Sequence, residues 1–172
     1  VQILDREGQE LPPGEVGEIY MLPATGPGST FSYRGAERRV TADGWESVGD
    51  MGWLDAEGYL FIADRRTDMI LCGGRNIYPA EIEAALNAHP AVRSSVVIGL
   101  PDDDLGQRIH AIVETHGVTD EALRAHLKER LVPYKWPHSF EYTGTPLFNE
   151  AGKVRRSALR EERLQKASLR PA

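Results

Sequence analysis

Cysteine is almost absent. Cys72 is the single one in 172 residues, so no intramolecular disulfide can form, and a reducing cytoplasm is the expected compartment. No run of about 18 apolar residues is present, which excludes a spanning helix from the reading. No signal-peptide pattern opens the chain, and Leu169-Arg170-Pro171-Ala172 is no peroxisomal tripeptide. By elimination the expected location is cytoplasmic, with peripheral membrane association left open. Positive charge is in deficit, with 20 Lys and Arg against 26 Asp and Glu and a net charge of −6. Such a balance lacks the basic footprint of a nucleic-acid surface. The histidines (His89, His110, His116, His126, His138) show no metal-ligand spacing and no cysteine pair joins them, so no metal site is expected. There is neither a Gly-x-Ser-x-Gly elbow nor a Gly-x-Gly-x-x-Gly following a strand. Cys72, at the end of the apolar run from Met69, reads as an inert buried thiol.

What is present divides into two parts, 1–66 and 67–172. The first reads as β-structure. Glu15 to Leu22 carries β-branched and aromatic residues behind the turn signal Pro12-Pro13-Gly14, and Tyr59 to Ala63 reads as a second strand. Ala42-Asp43-Gly44-Trp45 and Asp55-Ala56-Glu57-Gly58-Tyr59 place Asp and Gly where reversals need them. Pro23 to Gly35, rich in glycine and proline, reads as a loop. So few strands would hardly hold a core alone, and Val1-Gln2-Ile3-Leu4-Asp5 reads as mid-strand sequence. Both features predict a further portion upstream.

The second part alternates helix and strand. Pro79 fits a first helical position, Glu81 and Glu83 in the opening turn favour the helix dipole, and Ile82, Ala85 and Leu86 form one apolar face. Strands are predicted over Val92–Leu100 and Arg108–Thr115, with Pro101 to Gly106 as an acidic turn between them. A helix from Asp120 to Leu131 buries Leu123, Leu127 and Leu131, and Pro133 ends it. The basic stretch Arg155, Arg156, Arg160, Arg163, Lys166, Arg170, interleaved with Glu161 and Glu162, reads as a solvated helix face rather than an anion site. The fold class expected is α/β: a small mixed sheet flanked by helices, preceded by a β-rich segment.

Three signatures in fixed order carry a family resemblance. They are Val48-Gly49-Asp50-Met51-Gly52 with Gly58-Tyr59, then Asp64 to Gly74 leading into Tyr78-Pro79-Ala80-Glu81-Ile82-Glu83, and finally Gly152-Lys153-Val154-Arg155-Arg156. Over nearly its whole length the chain resembles the C-terminal third of adenylate-forming enzymes, the superfamily of acyl-CoA synthetases, firefly luciferase and non-ribosomal adenylation domains. The resemblance implies that 1–66 is the incomplete end of the large domain, a barrel-like β subdomain. It implies that 67–172 is the mobile lid. The phosphate loop and acyl pocket would then lie upstream, in an N-terminal domain that is the lid's partner.

The same resemblance assigns roles. Adenylation brings carboxylate and α-phosphate, both anionic, into one transition state, and a mobile ammonium reaching both stabilises it. Lys153 matches the family's essential lysine in that role. Asp50 would accept hydrogen bonds from the ribose hydroxyls, and Arg65 would contact ribose and phosphate with its fixed fork of donors. Ile62 would lie near the adenine. Thr67 falls at the hinge about which the lid swings between adenylation and thioester poses, where many relatives have Asp or Lys. Gly73-Gly74 matches the pair that lets backbone approach the pantetheine arm, and a plain β-turn between strand and helix would need the same glycines. Tyr134 and Trp136, in Tyr134-Lys135-Trp136-Pro137, would offer an aromatic to the CoA adenine, and core packing is an equal reading of Trp136.

The implied activity is that of an ATP-dependent acid:CoA ligase, forming an acyl-adenylate and then an acyl-CoA thioester. ATP and CoA would be its cofactors, with Mg2+ entering on ATP and held mainly by the upstream domain. The wording of Asp64 to Ile70 and Pro101 to Gly106 is similar to bacterial fatty-acid or bile-acid CoA ligases, so a fatty or bile acid is the expected substrate. A homodimer of the parent stays open. An adenylation domain serving a carrier protein is the second reading, though few residues follow Lys153 to link one. A luciferase-like oxidising relative is a third. In isolation the chain would be a non-catalytic binding module.

Overall fold

The computed structural model describes residues 1–24, 26 and 39–168. Most of the expected 23–35 loop, and Arg170, lie outside them. The chain separates into two compact units, Val1–Thr67 and Asp68–Ala172.

The first unit is a four-stranded antiparallel sheet in sequence order: β1 (Gln2–Leu4), β2 (Gly17–Met21), β3 (Glu46–Leu54) and β4 (Leu60–Arg65). Both expected reversals form. Gly44 N–H donates to the Thr41 carbonyl and Gly58 N–H to that of Asp55, each glycine with positive φ. The Asp55 carboxylate also accepts from Tyr59 N–H at 2.8 Å. Ile3, Leu4, Ile19 and Met51 are buried. So is Glu18, whose carboxylate accepts from the Ser47 hydroxyl and pairs with Arg39 and with Arg66 at 3.4 Å.

The second unit is built on a long hairpin, β7 (Val92–Asp102) against β8 (Gly106–Thr115). The far side of β8 takes β9 (Ser139–Thr143) in parallel, and at Gly106 it takes β5 (Ile70–Cys72), which carries β6 (Arg75–Ile77) on its own outer edge. The expected acidic turn is shorter than read. β7 runs through Pro101 and Asp102, and the Asp102 carboxylate closes the reversal by accepting from Asp104 and Leu105 N–H.

The hydrophobic runs in β7 and β8 are nearly continuous because both faces of the sheet are covered. On one face Val97, Ile109, Ala111 and Val113 pack with Ile82 and Leu86 of α1 (Pro79–Asn87) and Leu123 and Leu127 of α2 (Asp120–Lys128). On the other, Val96, Ile98, Leu100 and Ile112 pack with Leu147, Phe148, Val154 and Leu159, the last from α3 (Arg156–Ser168). Pro79 opens α1 as expected. Helix α2 ends earlier than read, at Lys128, and Leu131 reaches the core from the turn beyond it. Pro133 begins a short 3₁₀ turn, Pro133–Lys135.

Two sequence readings need correction here. Glu83, expected with Glu81 to favour the helix dipole from the opening turn of α1, lies beyond that turn, where Glu81 is the acidic residue. It is buried, and its carboxylate accepts from Val97 N–H at 2.7 Å on the open edge of β7. With Ser95 Oγ donating to Asn87 Oδ1 at 2.8 Å, α1 thereby covers an edge that would otherwise invite strand pairing. Nor is the basic C-terminal stretch a wholly solvated face. Arg156 binds Glu83 and Asp68, and Arg163 forks onto both oxygens of Glu141 at 2.7 and 3.0 Å.

Under α3 lies a buried histidine. His110 Nδ1 lies 2.8 Å from the Ser139 hydroxyl, and Nε2 lies 3.4 Å from Glu141. Burial dominates and lowers its pKa below the ordinary 6.5, against the raising effect of Glu141. The folded chain therefore refuses a proton that the unfolded chain accepts below pH 6.5, and stability falls as pH falls from there toward the lowered value. His89, also lowered chiefly by burial, adds to the same slope. Glu141 acts in a separate, lower window. Held below 4.5 first by its hydrogen bond from Arg163, it contributes stability above that value that is lost as pH falls through its folded pKa. The expected result for His110→Gln is a flatter stability profile just below pH 6.5 with the Glu141 limb retained, measured by urea unfolding across pH. An unchanged slope would contradict the assignment.

Candidate functional site

In the first unit the residues expected to meet a nucleotide come together through an irregular register. Asp50 stands opposite Arg65 and Gly52 opposite Ile62, with Ala63 left over as a bulge. Directly opposed residues share a face, so the extra residue brings Ile62 and Arg65, three apart in sequence, to the face that Asp50 occupies. Ile62 is 67% exposed although it is a large apolar residue. The two motif glycines have distinct local reasons. Gly49 has φ +80°, and its carbonyl accepts from Arg66 N–H at 3.0 Å. Gly52 has no room for a side chain, since a Cβ there would lie 2.4 Å from the Phe61 carbonyl oxygen. Thr67 is the last residue of this unit, in the turn after β4.

In the second unit Lys153 ends a tight loop organised by Asn149. The Asn149 side-chain oxygen accepts from Ala151 N–H at 3.0 Å and Lys153 N–H at 2.9 Å, while Asn149 N–H donates to the Lys153 carbonyl at 3.0 Å. Gly152 at φ +66° makes the reversal. Leu147 and Phe148 before the loop and Val154 after it are anchored on the sheet face beneath α3. Lys153 is exposed, and among the described residues no carboxylate forms a salt bridge with it. It borders an open cleft of about 400 Å³ that Phe148, Asn149, Arg155, Leu159 and Glu162 also line. A fixed backbone carrying a solvated ammonium on a flexible stem is what an anion-contacting lysine requires.

The remaining residues gather elsewhere in this unit. Gly73 and Gly74, at φ +55° and +76°, form the two-residue turn joining β5 to β6. Positive φ at both positions is a sufficient reason for glycine. The turn lies between two strands, whereas the sequence suggested one between strand and helix. A Cβ on Gly73 would touch only Leu105, at 3.4 Å, and one on Gly74 nothing within 4 Å. Beside this turn Arg75 lays its guanidinium 4.5 Å from the centroid of Tyr134, which is 44% exposed. Trp136 packs against the core beneath α1 and α2 and donates its indole N–H to the Leu131 carbonyl at 2.9 Å. Of its two readings the structure favours packing. Lys153 therefore belongs to one face of the β7–β8 sheet and Trp136 to the other.

Sequence reasoning missed Asn149, Arg75, Glu83 and Arg156 as contributors. An asparagine three residues before a glycine at a turn is a recognisable loop organiser. Nothing in the local sequence marked the contacts of the other three.

Among the described residues, no group of three or more His, Cys, Asp or Glu side chains could hold a metal ion. None of the described helices is long and apolar enough to cross a membrane.

Residues 81–147 match the family described as AMP-binding enzyme C-terminal domain. Tyr134 and Trp136 fall inside that segment, and Lys153, Asp50 and Arg65 outside it. Longer similarities cover them. The chain is 39% identical over 166 residues to the fatty acid–[acyl-carrier-protein] ligase ScoC of Streptomyces coeruleorubidus, spanning 93% of this chain and 31% of that protein. It superposes with TM-score 0.79 and 38% identity on the o-succinylbenzoate CoA synthetase MenE of Bacillus subtilis in complex with its acyl-adenylate intermediate, covering 92% of this chain and 33% of that one. The same enzyme with ATP and a magnesium ion gives TM-score 0.72 and 35% identity, at 92% and 33% coverage. The chain thus spans about a third of the length of these relatives. Residues 81–147 thus match an AMP-binding enzyme C-terminal domain, and over nearly its whole length the chain is similar to the C-terminal third of acid ligases that form acyl-adenylates.

Proposed function

We propose that the chain is the C-terminal part of an ATP-dependent acid ligase that forms an acyl-adenylate and transfers the acyl group to the thiol of CoA. The observation that carries this reading is the Lys153 loop, a backbone fixed by Asn149 that presents an exposed ammonium with no salt-bridge partner among the described residues. Asp50, Arg65 and Ile62, sharing one face of the first unit, would hold the nucleotide: ribose on the carboxylate, phosphate on the guanidinium, adenine against the isoleucine. Thr67 would be the hinge, 1–66 the end of the large domain and 67–172 the lid. Gly73, Gly74 and Tyr134 would receive CoA, with the exposed Tyr134 ring offering an aromatic surface to its adenine. Magnesium would enter with the phosphates of ATP.

A carrier-protein thiol as acceptor is the second reading, favoured by the likeness to ScoC, an acyl-carrier-protein ligase. Both readings share the first half-reaction. The test is AMP and pyrophosphate release by the intact parent with fatty, steroid and aromatic acids, with CoA, with a phosphopantetheinylated carrier, or with neither. Acid-dependent AMP release with a thioester on one acceptor is expected. The 172-residue chain alone is expected to be inactive. Adenylate formation by it, or no acid-dependent AMP release by the parent, would overturn the proposal.

A further inference from the structure

Arg156 is the third residue after Lys153 and the first of α3. Its Nη2 donates to both oxygens of Glu83, at 2.7 and 2.9 Å, and its Nη1 to Asp68 Oδ2 at 3.0 Å. All three side chains are largely shielded: Arg156 is 19% exposed, Glu83 11% and Asp68 21%. Glu83 is in turn fixed to the sheet through Val97 N–H. Asp68 is the first residue of the second unit, directly after Thr67. One guanidinium thus ties three segments together: the beginning of the unit, helix α1 with the edge of β7, and the end of the Lys153 loop. Hydrogen bonds between charged partners are short and directional, so the joint resists rotation as well as separation.

Resting on the catalytic reading of Lys153, we propose that Arg156 is a positioning residue. It fixes the Lys153 loop to the residue that follows the hinge, so that the ammonium moves with the backbone there instead of drifting on its own loop. Arg156 touches no reacting atom in this role. A displacement of about 1 Å in a positioned group can cost on the order of 10²-fold, which sets the scale of the effect.

The experiment uses the intact parent and measures its half-reactions separately: adenylation from acid and ATP, and thioester formation from supplied acyl-adenylate. Arg156→Ala is expected to lower kcat for adenylation roughly 10- to 100-fold, with KM for ATP and acid little changed and the thioester step retained. Arg156→Lys should recover part of the loss, because one ammonium cannot span both carboxylates. The double variant Lys153→Ala/Arg156→Ala should be no slower in adenylation than Lys153→Ala. Asp68→Asn cuts the less buried arm of the clamp and decides the matter if Arg156→Ala does not fold; it should lower adenylation in the same direction by a smaller factor. If Lys153→Ala abolishes adenylation while Asp68→Asn and Arg156→Ala keep it, positioning is wrong and the ligase reading stands. A fall in both half-reactions together would make Arg156 a merely structural residue and overturn the proposal. Full adenylation by Lys153→Ala would remove both readings at once.

Discussion

Lys153→Ala in the intact parent is expected to slow adenylate formation about 10²- to 10³-fold, the loss typical when one preorganised donor to developing charge is removed. Conversion of supplied acyl-adenylate to thioester should continue near the wild-type rate. The asymmetry follows from charge and from placement. In the first half-reaction an anionic carboxylate approaches an anionic α-phosphate, and an ammonium near both acts only as the transition state forms. In the second, a thiolate displaces AMP, and the groups assigned to CoA, Gly73, Gly74 and Tyr134, lie apart from the Lys153 loop. Lys153→Arg should rescue poorly, since a planar fork does not replace a compact ammonium. Asn149→Ala would keep the charge but take the shared acceptor from Ala151 and Lys153 N–H, so its effect should be smaller. Rapid-quench measurement of acyl-adenylate separates the steps. If Lys153→Ala keeps full adenylation, Lys153 is an ordinary loop residue, and the ligase proposal loses the observation that carries it.

The parts of the fold legible in the sequence are those where one local signal suffices. Pro79 with Ile82, Ala85 and Leu86 marks α1, because a fixed φ and a 3.6-residue period agree. The apolar runs of β7 and β8 are long enough to need no context. Three-residue strands such as β5 and β6 carry no period, so the Gly73-Gly74 turn was attached to a helix instead of a second strand. Side-chain destinations were hidden for a different reason. Glu83 just past an opening turn reads as a dipole partner whether or not it is buried, and only the packing of α1 on the edge of β7 turns it inward. Arg156 in a basic run looks solvated until Asp68 and Glu83, both distant in sequence, are brought to it. In the candidate site the residue types at Asp50, Arg65 and Lys153 were legible. The bulge at Ala63 that brings Ile62 to the face of Asp50 was not, because register is a property of two strands.

Glu83→Ala is expected to be the most damaging substitution for the stability of the second unit, by about 3–5 kcal/mol. The carboxylate does two things from a buried position, accepting from Val97 N–H and binding Arg156 with both oxygens. Alanine takes away both at once. A buried amide on a strand edge loses its acceptor, and a guanidinium only 19% exposed loses its principal carboxylate. The cost comes mainly from what is left behind and not from the pair itself, since buried ion pairs give back little beyond their own desolvation. Two consequences distinguish this account from simple loss of packing. Glu83→Gln, which keeps one oxygen for Val97 N–H but loses the charge and turns an amide NH2 toward Arg156, should cost less than Glu83→Ala but more than an isosteric change of packing alone. Glu83→Ala/Arg156→Ala should cost less than the sum of the single variants, because the second substitution removes the charge that the first left unbalanced. Hydrogen exchange along β7 and β8 reads the second unit directly, and Val97 should lose protection first. Additive costs, with Glu83→Gln as stable as the wild type, would show that shape and not charge is what Glu83 supplies to the edge of the sheet.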